Sequence, residues 1–165
     1  VELHQIAISE KNGKATIGVP IQAGVRNYYR AALSEPEKPS DSDLSFEIPT
    51  LSLDSWLEDR KIAEEITFIK CDTEGHELAV VKGSTSFLKI HKPAWLIEVS
   101  GNPDEPASKS AKLCAMLRQL KYEMYFFRDH KLIKRQKGDT SINYFFLQKA
   151  QVELLKRSGI EVVSE

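Results

Sequence analysis

Apolar and polar residues alternate from the first position, and residues 1–9 predict a strand. Lys11-Asn12-Gly13-Lys14 follows, and Asn-Gly between two alternating runs is a hairpin signal. Residues 15–20 are the expected partner strand. Residues 22–45 carry Gly24, Pro36, Pro39 and the polar run Ser40-Asp41-Ser42-Asp43 without periodicity, so they read as a long loop. Residues 46–51 predict another strand, and Ser52 or Asp54 is the candidate N-cap of a short helix carrying Trp56 at a core edge.

The middle of the chain is the most regular. Residues 66–71 form a short β-rich run that breaks at Asp72-Thr73-Glu74-Gly75-His76-Glu77. Leu78, Val81 and Leu88 then fall near helical spacing, with Gly83 as a stop and Ser84 as the cap of a second helix. Residues 93–99 read as a buried strand. Two apolar strands around a helix of this length predict a βαβ unit in a parallel sheet, with a right-handed crossover. Leu113, Leu117 and Leu120 mark an amphipathic helix, residues 122–127 and 142–147 two strands, and Arg128-Asp129-His130-Lys131 a turn. A short helix over residues 152–157 precedes Gly159 and a charged tail. The expected organisation is α/β in one domain, residues 1–165, with no internal repeat.

Composition narrows the function classes. An apolar fraction of 41% and a charged fraction of 28% suit a globular protein. Lys+Arg of 23 against Asp+Glu of 24 gives a net charge of −1, so no global field draws the chain to nucleic acid or anionic lipid. Apolar runs stay well below the ~20 residues of a membrane span, and the opening residues carry no signal-peptide pattern. Cys71 and Cys114 lie apart in apolar contexts, which predicts two buried free thiols. No Cys/His spacing suits a metal site. Reduced thiols agree with a cytoplasmic location.

The candidate chemistry lies where a strand hands over to a helix. In open α/β sheets ligands bind beyond the carboxyl ends of the strands. Asp72, Glu74 and His76 in that place are a candidate acid/base group, with Gly75 allowing a tight turn. The same residues also suit a plain helix start, with Asp72 or Thr73 capping and Glu74 and Glu77 complementing the dipole. Glu98 interrupts the next apolar strand. In a parallel sheet it would stand near Asp72, and a buried carboxylate there needs partners or an open cleft. His4, His91 and His130 read as solvated or locally satisfied. The aromatics at 122–127 and 144–146 read as packed strands, and the basic run 131–137 as a solvated hairpin face.

Over residues 66–99 the motif Lys70-Cys71-Asp72-Thr73-Glu74-Gly75-His76-Glu77, the step Val80-Val81-Lys82-Gly83 and the strand Pro93-Ala94-Trp95-Leu96-Ile97-Glu98-Val99 resemble the FkbM family of methyltransferases. Thr50-Leu51-Ser52-Leu53-Asp54 is similar to the family's Thr-Leu-Asp segment, and Asn143-Tyr144-Phe145-Phe146 to its closing strand. Ala7-Ile8-Ser9 with Asn12-Gly13 resembles its adenine-side strand and turn. The resemblance implies a Rossmann-like class I methyltransferase fold using S-adenosylmethionine, with O-methylation of a hydroxyl on a sugar, polyketide or similar small-molecule acceptor. It implies that Asp72 and Glu74 edge the transfer site, that Asp72 or His76 is the base, and that Glu98 shapes the substrate pocket. Ala7, Ile8 and Ser9 would border the cofactor.

The family's Gly-rich turn after its first strand has no counterpart here: Gly13, Gly18 and Gly24 are scattered. The chain therefore reads as the C-terminal portion of such a domain, incomplete, lacking the N-terminal cofactor-binding strands. Taken alone it is expected to bind S-adenosylmethionine very weakly and to be inactive. Two other readings stay open. A Mg²⁺-dependent enzyme would use Asp72 and Glu98 as oxygen ligands, although a nuclease of that type would want a Lys after Glu98, where Val99 and Ser100 stand. A non-catalytic methyltransferase-like interaction module would explain the missing turn. The methyl acceptor and the oligomeric state are not legible.

Overall fold

Among the described residues the alternating and apolar segments resolve into a six-stranded sheet, a four-stranded sheet and a two-stranded pair. The structure is a computed structural model and describes residues 1–22, 24–34, 44–58, 60, 62 and 66–163. In chain order the elements are β1 (Ala7–Ile8), β2 (Gly13–Val19), β3 (Ile21–Gln22), β4 (Val25–Arg26), β5 (Ala32–Ser34), β6 (Leu44–Leu51), α1 (Leu53–Glu58), β7 (Phe68–Cys71), α2 (Glu77–Lys82), α3 (Thr85–His91) and β8 (Ala94–Glu98). They continue as α4 (Lys109–Gln119), β9 (Glu123–Arg128), β10 (Lys131–Lys134), β11 (Asn143–Leu147), α5 (Lys149–Arg157) and β12 (Glu161–Val163).

The larger sheet has the order β12-β10-β9-β11-β8-β7. β7 and β8 run parallel, with Phe68 opposite Ala94 and Cys71 opposite Ile97. The expected βαβ unit is therefore present, its connection formed by α2 and α3. β11 lies antiparallel to both β8 and β9. Trp95, Ile97, Leu88, Val81 and Leu117 are fully buried on this sheet and its helices. Each such side chain contributes about 1.5–3 kcal/mol of transfer free energy.

The smaller sheet has the order β1-β6-β2-β5. It corrects the hairpin expected at Asn12-Gly13. β6 inserts between β1 and β2, parallel to the first and antiparallel to the second. The Asn12 region wraps the end of β6 instead. The Ser52 amide donates to Asn12 Oδ1 at 2.9 Å, and Thr50 Oγ1 donates to the Lys11 carbonyl at 3.1 Å. An Asn-Gly pair reports a turn, and here long-range pairing overrides the local partner choice. The opening strand is also shorter than expected. Residues 1–5 are exposed and only Ala7–Ile8 pair.

Three further expectations are corrected. The segment read as a loop over 22–45 contains the β3–β4 pair and β5 among its described residues; residues 35–43 lie outside them. The charged tail forms β12, which adds to β10 in parallel, with Lys131 meeting Glu161 at 2.7 Å. The basic run is not wholly solvated, because Arg135 is largely buried and makes a bidentate bond to Asp104 at 2.8 and 2.6 Å. Both cysteines are buried and free, and burial pushes the Cys71 thiol up to about 12 and the Cys114 thiol up to about 11.

One corner ties the two sheets together. Ser52 Oγ caps α1 by accepting from the Ser55 amide at 3.1 Å. Asp54 caps a different helix: it takes the Ser86 and Phe87 amides of α3, each at 2.9 Å. Ser84, expected to cap α3, instead donates its hydroxyl back to the Val80 carbonyl at 2.6 Å. Gly83, between α2 and α3, packs against β1 so closely that a Cβ would stand 2.0 Å from the Ser9 carbonyl oxygen. Backbone cannot yield there as a side-chain tip would. Gly83→Ala is expected to destabilise the fold by about 1–3 kcal/mol. Urea unfolding measures this, and an unchanged midpoint would show that β1 is not pinned at this contact.

Candidate functional site

β7 delivers its last residue, Cys71, into the core, and the chain then turns sharply before α2. Glu74 and Gly75 both take left-handed backbone, with φ of 50° and 91°. For Glu74 this conformation costs about 1 kcal/mol. The turn is held by Glu77, only 5% exposed. Its Oε1 accepts from the Thr73 amide at 3.0 Å, the Thr73 hydroxyl at 3.1 Å and the Gly75 amide at 3.0 Å. Glu77 is therefore a buried carboxylate whose charge is met by three local donors.

The sequence-predicted residues are distributed around this turn. Asp72 stands at the end of β7, where Lys70 Nζ bonds its Oδ2 at 2.5 Å. The strand register continues past the Cys71–Ile97 pair, so Asp72 and Glu98 become neighbours at adjacent strand ends. Glu98 is held above the ordinary carboxylate range, first by burial and then by the charges of Asp72, Glu74 and Glu77. Glu74 itself is exposed. Among the described residues no group of three His, Cys, Asp or Glu side chains could hold a metal ion.

His76 is half-buried and faces elsewhere. Its Nε2 lies 2.9 Å from Ser9 Oγ, a contact between residues 67 positions apart. Burial lowers its pKa, Lys109 adds to that, and Glu77 opposes it. Burial therefore favours the neutral ring. Ala7 and Ile8 take a different side from Ser9. They line a cavity of about 450 Å³ together with Ile17, Ile69, Asp72 and Thr73. Trp95 also lines that cavity, and its buried Nε1 has no acceptor among the described residues. Glu98 borders a smaller pocket of about 130 Å³ with Gly75, Glu77 and Lys109. The structure thus brings Asp72 together with Ala7 and Ile8, His76 with Ser9, and Glu98 with Asp72.

The Methyltransferase FkbM domain matches residues 1–124 of this chain. The chain belongs to the FkbM methyltransferase family. A structural match is the crystal structure of methyltransferase FkbM from Methylobacillus flagellatus KT, at 17% identity and a TM-score of 0.44. It covers 88% of this chain, and the chain spans 28% of that protein's length. A comparison with curated proteins found no match. No helix among the described residues is long and apolar enough to cross a membrane.

In this FkbM domain three features escaped sequence reasoning. Glu77 was legible as a helix-start acid, but not as the clamp of the turn, although its i,i+4 spacing from Thr73 permits that bond. The Ser9–His76 contact has no local signal. Lys109 affects both His76 and the Glu98 pocket, yet it sits in an unremarkable helix start.

Two outcomes test the electrostatics. Glu77→Ala leaves the Thr73 and Gly75 amides without their acceptor and is expected to lose roughly 2 kcal/mol, read by urea unfolding together with faster amide exchange at Gly75. Glu77→Gln retains an acceptor oxygen and is expected to lose less. Glu98, with its folded pKa raised above the ordinary value of 4.5, binds its proton more tightly in the folded than in the unfolded state. Its contribution is fully present below the unfolded pKa and is lost as pH rises through the folded pKa. Glu98→Gln is expected to be more stable than wild type at pH 7, with the gap closing in acid. A gap that widens in acid would contradict the raised pKa.

Proposed function

We propose that this chain forms the acceptor-facing part of an S-adenosylmethionine-dependent methyltransferase that transfers a methyl group to a hydroxyl oxygen of a sugar, polyketide or similar metabolite. The observation that carries this reading is the side-by-side placement of Asp72 and Glu98 at the ends of parallel β7 and β8, Asp72 on the wall of the 450 Å³ cavity and Glu98 on the smaller pocket beside it. Family membership supplies the reaction class. The order β9-β11-β8-β7, with antiparallel β11 between strands of one direction, supports a Rossmann-like class I sheet. In that reading the open edge of β7 is where the family's first strands pair.

The residues present fit one end of the cofactor. Ala7 and Ile8 offer an apolar wall suited to a purine face, the Asp72 carboxylate suits a sulfonium charge, and Trp95 Nε1 is a buried donor without an acceptor among the described residues. Bound S-adenosylmethionine supplies an electrophilic methyl carbon. The chain's own part is to place the acceptor hydroxyl and remove its proton as the new carbon–oxygen bond forms. Asp72 or His76 receives that proton: Asp72 lines the cavity, and His76, across the turn, has burial favouring its neutral, proton-accepting form. Glu74 and Glu98 border the acceptor's path, and the raised pKa of Glu98 favours a hydrogen-bonding role over a charged one.

The test is transfer of a labelled methyl group by the protein that carries this chain. Asp72→Asn or His76→Ala is expected to lower turnover by about 10²-fold or more, according to which is the base. Near-wild-type turnover in both variants would remove the base assignment.

A further inference from the structure

The cleft on the Ser9–His76 side of the turn gathers cationic and hydrogen-bond-donating side chains. It encloses about 380 Å³ between the segment joining β1 to β2 and the start of α4, lined by Ser9, Lys11, Asn12, Lys14, His76 and Lys109 among others. Two of its charged side chains are already matched: Lys14 meets Glu47 at 2.6 Å, and Glu10 meets Lys82 at 3.0 Å. Lys11 and Lys109 have no carboxylate partner among the described residues. Lys109 is also the first residue of α4, whose first turn holds no acid. The helix dipole opposes a cation at that position, and the exposed ammonium stands between this cleft and the pocket of Glu77 and Glu98.

The uncharged groups of the cleft are donors as well. Asn12 Oδ1 is occupied by the Ser52 amide, which leaves its NH₂ as the free end of the amide. The Ser9 hydroxyl and the His76 ring form one hydrogen-bonded pair on the wall. Two unmatched ammonium groups, an amide NH₂ and a hydroxyl–imidazole pair are together the complement of an oxyanion.

We propose that this cleft binds an oxyanion, a phosphate or carboxylate group, between Lys11 and Lys109 beside His76. Under the methyl-transfer reading, on which this last step rests, the anion is the charged end of the acceptor, so the acceptor class is an anionic metabolite. Lys109 links the two halves of the site, because it lines both this cleft and the Glu98 pocket.

The experiment is an NMR titration at pH 7 that follows the His76 ring resonances, with inorganic phosphate in one arm and acetate in the other. Saturable movement of those resonances with phosphate supports the site and names a phosphate group. Saturation with acetate alone supports it and names a carboxylate. Lys109→Gln and Lys11→Gln are each expected to weaken binding by roughly tenfold. No saturable response to either anion, or the same affinity in wild type and Lys109→Gln, overturns the proposal. The readout needs no turnover. Loss of the anion site with intact methyl transfer sinks this inference alone, and anion binding without methyl transfer sinks the activity alone.

Discussion

A carboxylate taken out of water survives only where donors replace its hydration. Glu77 meets that condition with a single oxygen that gathers two amides and a hydroxyl from the turn immediately before its own helix. The arrangement works in both directions. The turn satisfies the charge, and the charge holds a turn that contains a strained non-glycine residue, Glu74, in left-handed backbone. Without this clamp β7 would have no defined exit, and neither Asp72 before the turn nor His76 after it would have a fixed direction. The candidate site therefore depends on a residue that has no place in the chemistry.

The turn then sorts its neighbours by side. Asp72 remains in line with β7 and so meets Glu98, because parallel register carries the strand ends forward together. His76 lies past two left-handed residues and is directed to the opposite wall, where Ser9 holds it. β1 and the residue that follows it serve both sides, Ala7 and Ile8 lining the apolar cavity and Ser9 the basic cleft. Strand alternation does not account for this, because the adjacent Ala7 and Ile8 line the same cavity; the change of side comes at Ser9, just past the end of β1. The tight packing of Gly83 on the Ser9 carbonyl fixes that strand in height.

The legible parts of the molecule were those in which local pattern and tertiary outcome agree. The apolar runs around Cys71 and Ile97, with a helical stretch between them, could bury their faces only as a parallel pair, and they do. The break at residues 72–77 was visible because polar residues cannot continue a buried strand. What failed depended on partners distant in sequence. The turn at Asn12 was recognisable, yet nothing local shows that β6 will enter between β1 and β2. β12 carries Glu161 on a short, charged segment that gains strand pairing only because β10 offers an open edge. Arg135 sits in a basic run that looks solvated, and its burial follows from Asp104 being placed 31 positions away. The direction of His76 was hidden for the same reason, since Ser9 is 67 positions distant.

The remaining tension lies among the acids. Asp72, Glu74, Glu77 and Glu98 crowd the strand ends, and only two of them are well compensated: Glu77 by its donors and Asp72 by Lys70. Lys70 is itself 55% exposed, so its pairing with Asp72 is screened and contributes little to stability. A fold selected for stability alone would place an amide or an apolar residue at Glu98, where burial and three like charges all act against ionisation. Retention of a carboxylate there is the pattern expected where stability is surrendered for a site. The same logic applies across the turn, where Lys109 stands at a helix end that disfavours it. Lys109 also lines the pocket that holds Glu77 and Glu98, so the cation stands between the acids and the His76 cleft. In the proposed reading, Asp72 beside the apolar cavity and Lys109 beside His76 are the two ends of one binding surface.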